Sequence, residues 1–183
     1  MGADETPLCV DLDGTLIAGD TLVISLRHIA TRTPWQIPRI AIALLRGRAA
    51  FKRSVAATVI PNPAKLPWRA TVVAFVREQR ASGRRVLLAT AADRRVADSV
   101  ATYLGCFDGI VASDGAENAK GSHKVEAIRR AIGEDTPFDY MGDSTADLPV
   151  FEVARVGYLV APNHTLREQA LRIGRIQRIF EER

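Results

Sequence analysis

The chain has 183 residues, 47% of them hydrophobic, enough for one substantial core with a small accessory module but not for two full-sized domains. A formal net charge of +4 suits anionic ligands, yet the 25 basic residues are interspersed with 21 acidic ones and aromatics make up only 6%, which excludes the usual signature of a nucleic-acid binder. Gly2 to Thr6 is polar and acidic rather than a secretion signal, and Cys9 and Cys106 make no metal or redox spacing, so a reduced cytoplasmic setting is expected.

The first apolar run, from Pro7 to Leu12, reads as a short buried strand ending in Asp11-Leu-Asp13-Gly-Thr-Leu. Two carboxylates two residues apart at a strand end can be aimed at one point, one to attack and the other to handle a proton. The bland alternative makes Asp13-Gly14 a turn and Asp11 a cap.

About seventy residues then separate Asp11 from the next strand, where one crossover helix would suffice, so an insertion is expected. Its content is helical: Thr21 to Thr31, Pro34 to Arg46 with Pro34 suited to a first turn, and Arg48 to Val59, ended by Pro61-Asn-Pro. Pro67 to Ser82, closed by Gly83, reads as the crossover helix itself. Ile37 to Leu45 is the most apolar later stretch, but Arg39 breaks it and it falls far short of the roughly 20 residues that span a bilayer.

The second strand, Arg85 to Ala89, ends at Thr90-Ala91-Ala-Asp93 before a helix from Asp93 to Leu104. A hydroxyl and the free amides of a helix start could hold phosphate oxygens there, although a Thr in this place is often only a cap. After a third strand, Gly109 to Ala112, Lys120-Gly-Ser-His-Lys124 opens a helix from Ser122 to Ile132. A lysine at a helix start is disfavoured by the macrodipole, which suggests that a ligand compensates it; a solvated surface lysine is the alternative for Lys120, and His123 is expected on the helix surface.

A fourth strand, Phe138 to Met141, runs into Gly142-Asp143-Ser-Thr-Ala-Asp147 and a helix from Ala146 to Ala154; Gly157 to Val160 closes the series. Asp143 can reach a cation shared with Asp11, and Asp147 can orient Lys120 or metal-bound water, unless Asp147 is merely a favourable charge at a helix N-terminus. Magnesium suits carboxylate oxygens, retained water and phosphate. Alternating strands and helices imply a parallel sheet covered on both faces, an α/β Rossmann-like core, with ligands outside the carboxyl ends of the strands.

In order, Asp-Leu-Asp-Gly-Thr-Leu, Thr90, Lys120-Gly121 and Gly-Asp-Ser-Thr-Ala-Asp resemble the four signature motifs of haloacid dehalogenase-type phosphatases, over nearly the whole chain. The insertion after the first motif is similar to the helical caps of the phosphoserine-phosphatase-like branch. The resemblance implies a catalytic core of residues 1–17 and 66–183 and a cap of residues 18–65. It implies Asp11 as nucleophile and metal ligand, and Asp13 as general acid/base offering its backbone carbonyl to Mg2+. Thr90, Ala91 and Lys120 would bind the phosphoryl group, and Asp143 would ligate the metal, with Asp147 in support. Lys120 matches the family lysine better than Lys124, because Lys-Gly is frequent there. Ala91-Ala92 where phosphoserine phosphatases tend to have Gly-Gly, and Ala146 in place of Asn, point away from phosphoserine as substrate.

Leu44-Leu-Arg-Gly-Arg, Leu87-Leu-Ala-Thr-Ala-Ala-Asp and Asp139-Tyr-Met-Gly-Asp-Ser-Thr-Ala-Asp-Leu-Pro-Val are similar to phosphatase-like domains fused to UbiA-like membrane prenyltransferases. That adds a membrane prenyltransferase as a partner, a lipid-linked as well as a small-molecule phosphate ester as substrate, and the inner membrane face as a location. Ile37, Ile40, Ala41, Leu44 and Leu45 form an apolar stripe beside Arg39, Arg46, Arg48, Lys52 and Arg53, readable as a lipid-facing cap surface or as packing between cap helices.

The rival readings are three. Carbon–halogen hydrolysis needs neither a leaving-group acid nor magnesium, so Asp13 and Asp143 argue against it. A phosphomutase or phosphotransferase shares every residue named. A non-hydrolytic phospho-acceptor module also clusters Asp, Thr and Lys on a parallel sheet, but lacks a large insertion after the nucleophile strand.

Overall fold

A computed structural model describes residues 6–113 and 121–181. Its centre is a six-stranded sheet, β1 (Leu8–Val10), β2 (Val86–Asp93), β3 (Gly109–Ser113), β4 (Asp139–Gly142), β5 (Gly157–Val160) and β6 (Ile176–Phe180), in the order β3-β2-β1-β4-β5-β6. Every pairing is parallel. The expected α/β Rossmann-like architecture is therefore present, with one strand more than the sequence reading counted. β6 sits at the sheet edge, where Gln177 and Arg178 face solvent, so it lacks the unbroken apolar run of a central strand.

Side chains alternate across β1. Leu8 and Val10 join one buried cluster and Cys9 the other, so both faces of the sheet are covered. The covering helices are α4 (Ala70–Ala81), α5 (Arg94–Leu104), α6 (Ser122–Ile132), α7 (Leu148–Val153) and α8 (His164–Ile173). α4 begins three residues later than the sequence predicts, because Pro67 to Arg69 stay extended and Trp68 bridges to Ile17. The predicted helix from Ala146 opens as a 3-10 turn, Thr145–Asp147, before α7.

The insertion between β1 and β2 holds α1 (Thr21–Arg32), α2 (Ile37–Leu44) and α3 (Arg48–Thr58), close to the predicted helices. Asp20 caps α1 by accepting from the amides of Leu22 at 2.8 Å and Val23 at 3.1 Å. The three helices close on a small apolar cluster of their own, Ile29, Ile40 and Val55 with Leu22, Leu26, Phe51 and Val59 against it. Of the apolar stripe read from the sequence, only Ile40 is buried in that cluster; Ile37, Leu44 and Leu45 are exposed. No helix among the described residues is long and apolar enough to cross a membrane.

Candidate active site

β1, β2 and β4 lie side by side, so the residues at their carboxyl ends converge. A cleft of about 940 Å³, counting its open mouth, is lined there by Asp11, Asp13, Thr90, Ala91, Asp143 and Asp147, together with Lys124 and Lys52. Every sequence-predicted site residue that is described is thus brought together. Lys120 lies outside the described residues.

The loop after β1 has to turn sharply. Gly14 adopts φ +79°, and a Cβ there would stand 2.0 Å from Asp143 Oδ2. Only glycine lets the loop pass so close to the second acidic strand end. Thr15 then donates its hydroxyl to Asp143 Oδ1 at 2.9 Å, tying the two loops together. Asp13 turns its carboxylate to the start of α1, accepting from the Thr21 amide at 2.7 Å and the Thr21 hydroxyl at 3.3 Å.

Asp11 is buried, and its Oδ1 lies 3.2 Å from Lys124 Nζ. Lys124 itself is buried and also donates to Asp147 Oδ1 at 3.0 Å and to the Tyr140 hydroxyl at 2.8 Å. Tyr140 in turn donates its hydroxyl to Asp147 Oδ1 at 2.8 Å. The ammonium is held by two carboxylates and a phenol, so its position is fixed before any ligand arrives. Lys124, which the motif spacing favours less than Lys120, is the described lysine beside Asp11. The signal for it was its place on α6: Lys124 and Ile128 are the buried residues of that helix, four apart on one face.

Burial pushes the Asp11 carboxyl up to about 8, with Asp147, Asp143 and Asp13 adding to the rise and Lys124 opposing it. Burial likewise raises Asp13 and Asp143 to about 6 each, against the lowering effect of their bonds to Thr21 and Thr15. Burial alone would lower Lys124, but Asp11 and Asp147 outweigh it and the ammonium is favoured overall. Asp11, Asp143 and Asp147 place one carboxylate oxygen each within 4.8 Å of one another. Hard oxygen donors that are costly to ionise together are what a divalent cation relieves, so the residues present fit one.

At the β2 end the structure corrects one expectation. β2 continues past Thr90 through a register irregularity to Asp93, and Asp93 caps α5 by accepting from the Arg95 amide at 3.0 Å. One amide of that helix start is therefore taken by Asp93. The Thr90 hydroxyl accepts from the Ala92 amide at 3.0 Å and still lines the cleft.

From the insertion, Lys52 of α3 reaches over the cleft and donates to the Ala91 carbonyl at 2.7 Å. His123 is on the surface beside Glu126, as expected. At the other end of the sheet, Asp139 is buried against Arg84 and paired with Arg155 at 2.9 Å, an arrangement that no sequence motif marks.

Residues 8–152 match the family model of haloacid dehalogenase-like hydrolases. The chain is 38% identical over 154 residues to the uncharacterized protein y4nM of Sinorhizobium fredii, a match over 84% of this chain and 30% of that protein. It thus spans less than a third of that relative's length. A Bordetella pertussis Tohama I protein of unknown function superposes with a TM-score of 0.74 at 20% identity, covering 97% of this chain and 99% of that one. A substrate-bound phosphoserine phosphatase superposes with a TM-score of 0.63 at 15% identity, covering 98% and 94%.

Proposed function

The chain belongs to the haloacid dehalogenase-like hydrolases, and on that premise we propose that it hydrolyses phosphate monoesters through a phosphorylated Asp11. The observation that carries this reading is the buried Asp11 at the end of the central strand, facing Lys124 and flanked by Asp13 and Asp143 in one cleft.

A carboxylate is a weak nucleophile towards a dianionic ester, so the charge of the phosphoryl group must be neutralised first. Lys124 supplies one fixed cation, and the Thr90 hydroxyl can donate to a phosphoryl oxygen. Asp11, Asp143 and the main-chain carbonyl of Asp13 are the groups we assign to Mg2+; Asp147 Oδ1 is already engaged by Lys124 and Tyr140. When bound, the cation adds charge neutralisation at the phosphoryl oxygens.

Asp11 attacks phosphorus, forming the aspartyl-phosphate bond as the bond to the ester oxygen breaks. Asp13, held on the start of α1 by Thr21, gives its proton to the departing alkoxide. Asp13 then takes a proton from water, whose oxygen bonds to phosphorus as the Asp11–phosphorus bond breaks, and phosphate leaves.

In this reading residues 18–65 act as a cap over a core of residues 1–17 and 66–183, with Lys52 on its underside as a contact for the ester's leaving group. The helical insertion between β1 and β2 favours a hydrolase over a phospho-acceptor module. The test is release of inorganic phosphate from a panel of phosphate monoesters with and without Mg2+. Metal-dependent multiple turnover is expected. A phosphoryl group passed only to an added sugar phosphate would instead identify a phosphomutase.

A further inference from the structure

The insertion carries a second feature that the reaction does not use. Among the described residues, half of the exposed large hydrophobic side chains fall in one short stretch: Trp35, Ile37, Ile42, Leu44 and Leu45, with Trp35 70% and Leu45 88% exposed. The turn Pro34–Gln36 runs directly into α2, so the stretch winds as one helical segment. Gln36, Ile40 and Ala43 form its inner side, and Ile40 is buried against α1 and α3. Trp35, Ile42 and Leu45 recur at helical spacing on the outer side. Arg39, Arg46 and Arg48 are exposed in the same stretch.

Charge identifies what this surface meets. Residues 18–65 hold eight Lys and Arg against one Asp, and no acidic residue occurs between Asp20 and Glu78. The insertion is therefore more positive than the chain as a whole, whose net charge is +4. A second copy docking here would set like charge against like charge. An outward tryptophan, branched aliphatics and interspersed arginines match an anionic lipid interface, where the rings and aliphatics enter the headgroup boundary and the guanidinium groups meet lipid phosphates.

We propose that the segment from Trp35 to Arg48 seats the protein on an anionic phospholipid bilayer, lying in the interface without crossing it. This goes beyond the phosphatase reading and does not depend on it, because binding is read without turnover.

The experiment mixes the full chain with vesicles of phosphatidylcholine, with or without phosphatidylglycerol, and follows flotation and tryptophan emission. The chain has two tryptophans, and Trp68 stacks on Tyr103, so Trp68→Phe leaves Trp35 as the reporter. Expected are flotation and a blue shift with anionic vesicles only, weakened by salt. Leu44→Glu with Leu45→Glu should reduce partitioning at least about tenfold. Arg46→Ala with Arg48→Ala should weaken it and flatten its salt dependence. Both pairs should leave p-nitrophenyl phosphate hydrolysis unchanged. No flotation, or equal binding to neutral and anionic vesicles, overturns the proposal. So does a blue shift without lipid accompanied by a doubled mass in light scattering, which would assign the surface to a second copy.

Discussion

Lys124 Nζ stands 3.2 Å from Asp11 Oδ1 while Asp147 Oδ1, 3.0 Å away, holds it from the other side. A buried ammonium between two carboxylates positions charge where an incoming phosphoryl group needs it, and also lowers the cost of keeping Asp11 ionised in a buried place.

Lys124→Ala should therefore lower kcat on p-nitrophenyl phosphate by about a hundredfold or more, the scale seen when one preorganised electrostatic donor is removed. Lys120→Ala should cost less than a tenth as much. Circular dichroism and thermal melting of both variants separate a catalytic loss from unfolding. The reverse order of losses would return the role to Lys120.

Asp13→Asn should depend on the leaving group, because an alkoxide needs a proton and a phenolate hardly does. Hydrolysis of alkyl phosphates should fall about a hundredfold or more, and that of p-nitrophenyl phosphate distinctly less. Equal losses on both would mean that Asp13 acts through its hold on Thr21 alone.

Removal of metal should destabilise the fold most at alkaline pH. Asp11 is raised to about 8, and Asp13 and Asp143 to about 6, chiefly by burial, whereas unfolded aspartates titrate near about 4. Between those values the folded, metal-free chain holds more protons than the unfolded one, so this cluster lowers stability as pH rises from about 4 through about 8. A divalent cation bound to the ionised carboxylates offsets that loss. Magnesium should accordingly raise Tm more at pH 8 than at pH 5, both values chosen to bracket the raised carboxylates, and Asp143→Asn should shrink the difference. An equal shift at both pH values would contradict this linkage.

Away from the site, Asp139 is buried with Arg84, and Arg155 reaches it from the surface, 44% exposed. Asp139→Ala removes the carboxylate that balances a buried guanidinium and should cost about 3–5 kcal/mol in urea unfolding, whereas Arg155→Ala, with Arg84 still in place, should cost about 1 kcal/mol or less. Similar losses for the two would show that the exposed arginine carries the pairing.

The parts of the fold that were legible in the sequence are those where an unbroken apolar run stops at a reactive group. Asp11, Thr90 and Asp143 are each displayed by a central strand whose neighbours bury it on both faces, so run and stop are both visible. β6 was illegible because an edge strand keeps polar residues such as Gln177 and Arg178. The exact end of β2 was hidden by its irregularity, which carries the strand past Thr90 to Asp93. Lys124 could not be separated from Lys120 by motif spacing, since the two are only four residues apart. Burial of Lys124 with Ile128, which follows from how α6 packs on the sheet, supports Lys124, while Lys120 lies outside the described residues. The Asp139 cluster was invisible because isolated charges in sequence usually mark solvated positions.

The central claim is that Asp11 carries the phosphoryl group, and acid quenching during turnover of a phosphate monoester with Mg2+ tests it most directly. Peptide mass spectrometry should find one added phosphoryl group on the peptide containing Asp11, released by hydroxylamine as an acyl phosphate is. Asp11→Asn should show neither the label nor more than about a thousandth of wild-type turnover, since the amide keeps the shape but cannot act as nucleophile. Unlabelled Asp11 during full turnover, together with Asp11→Asn activity within about tenfold of wild type, would contradict the account.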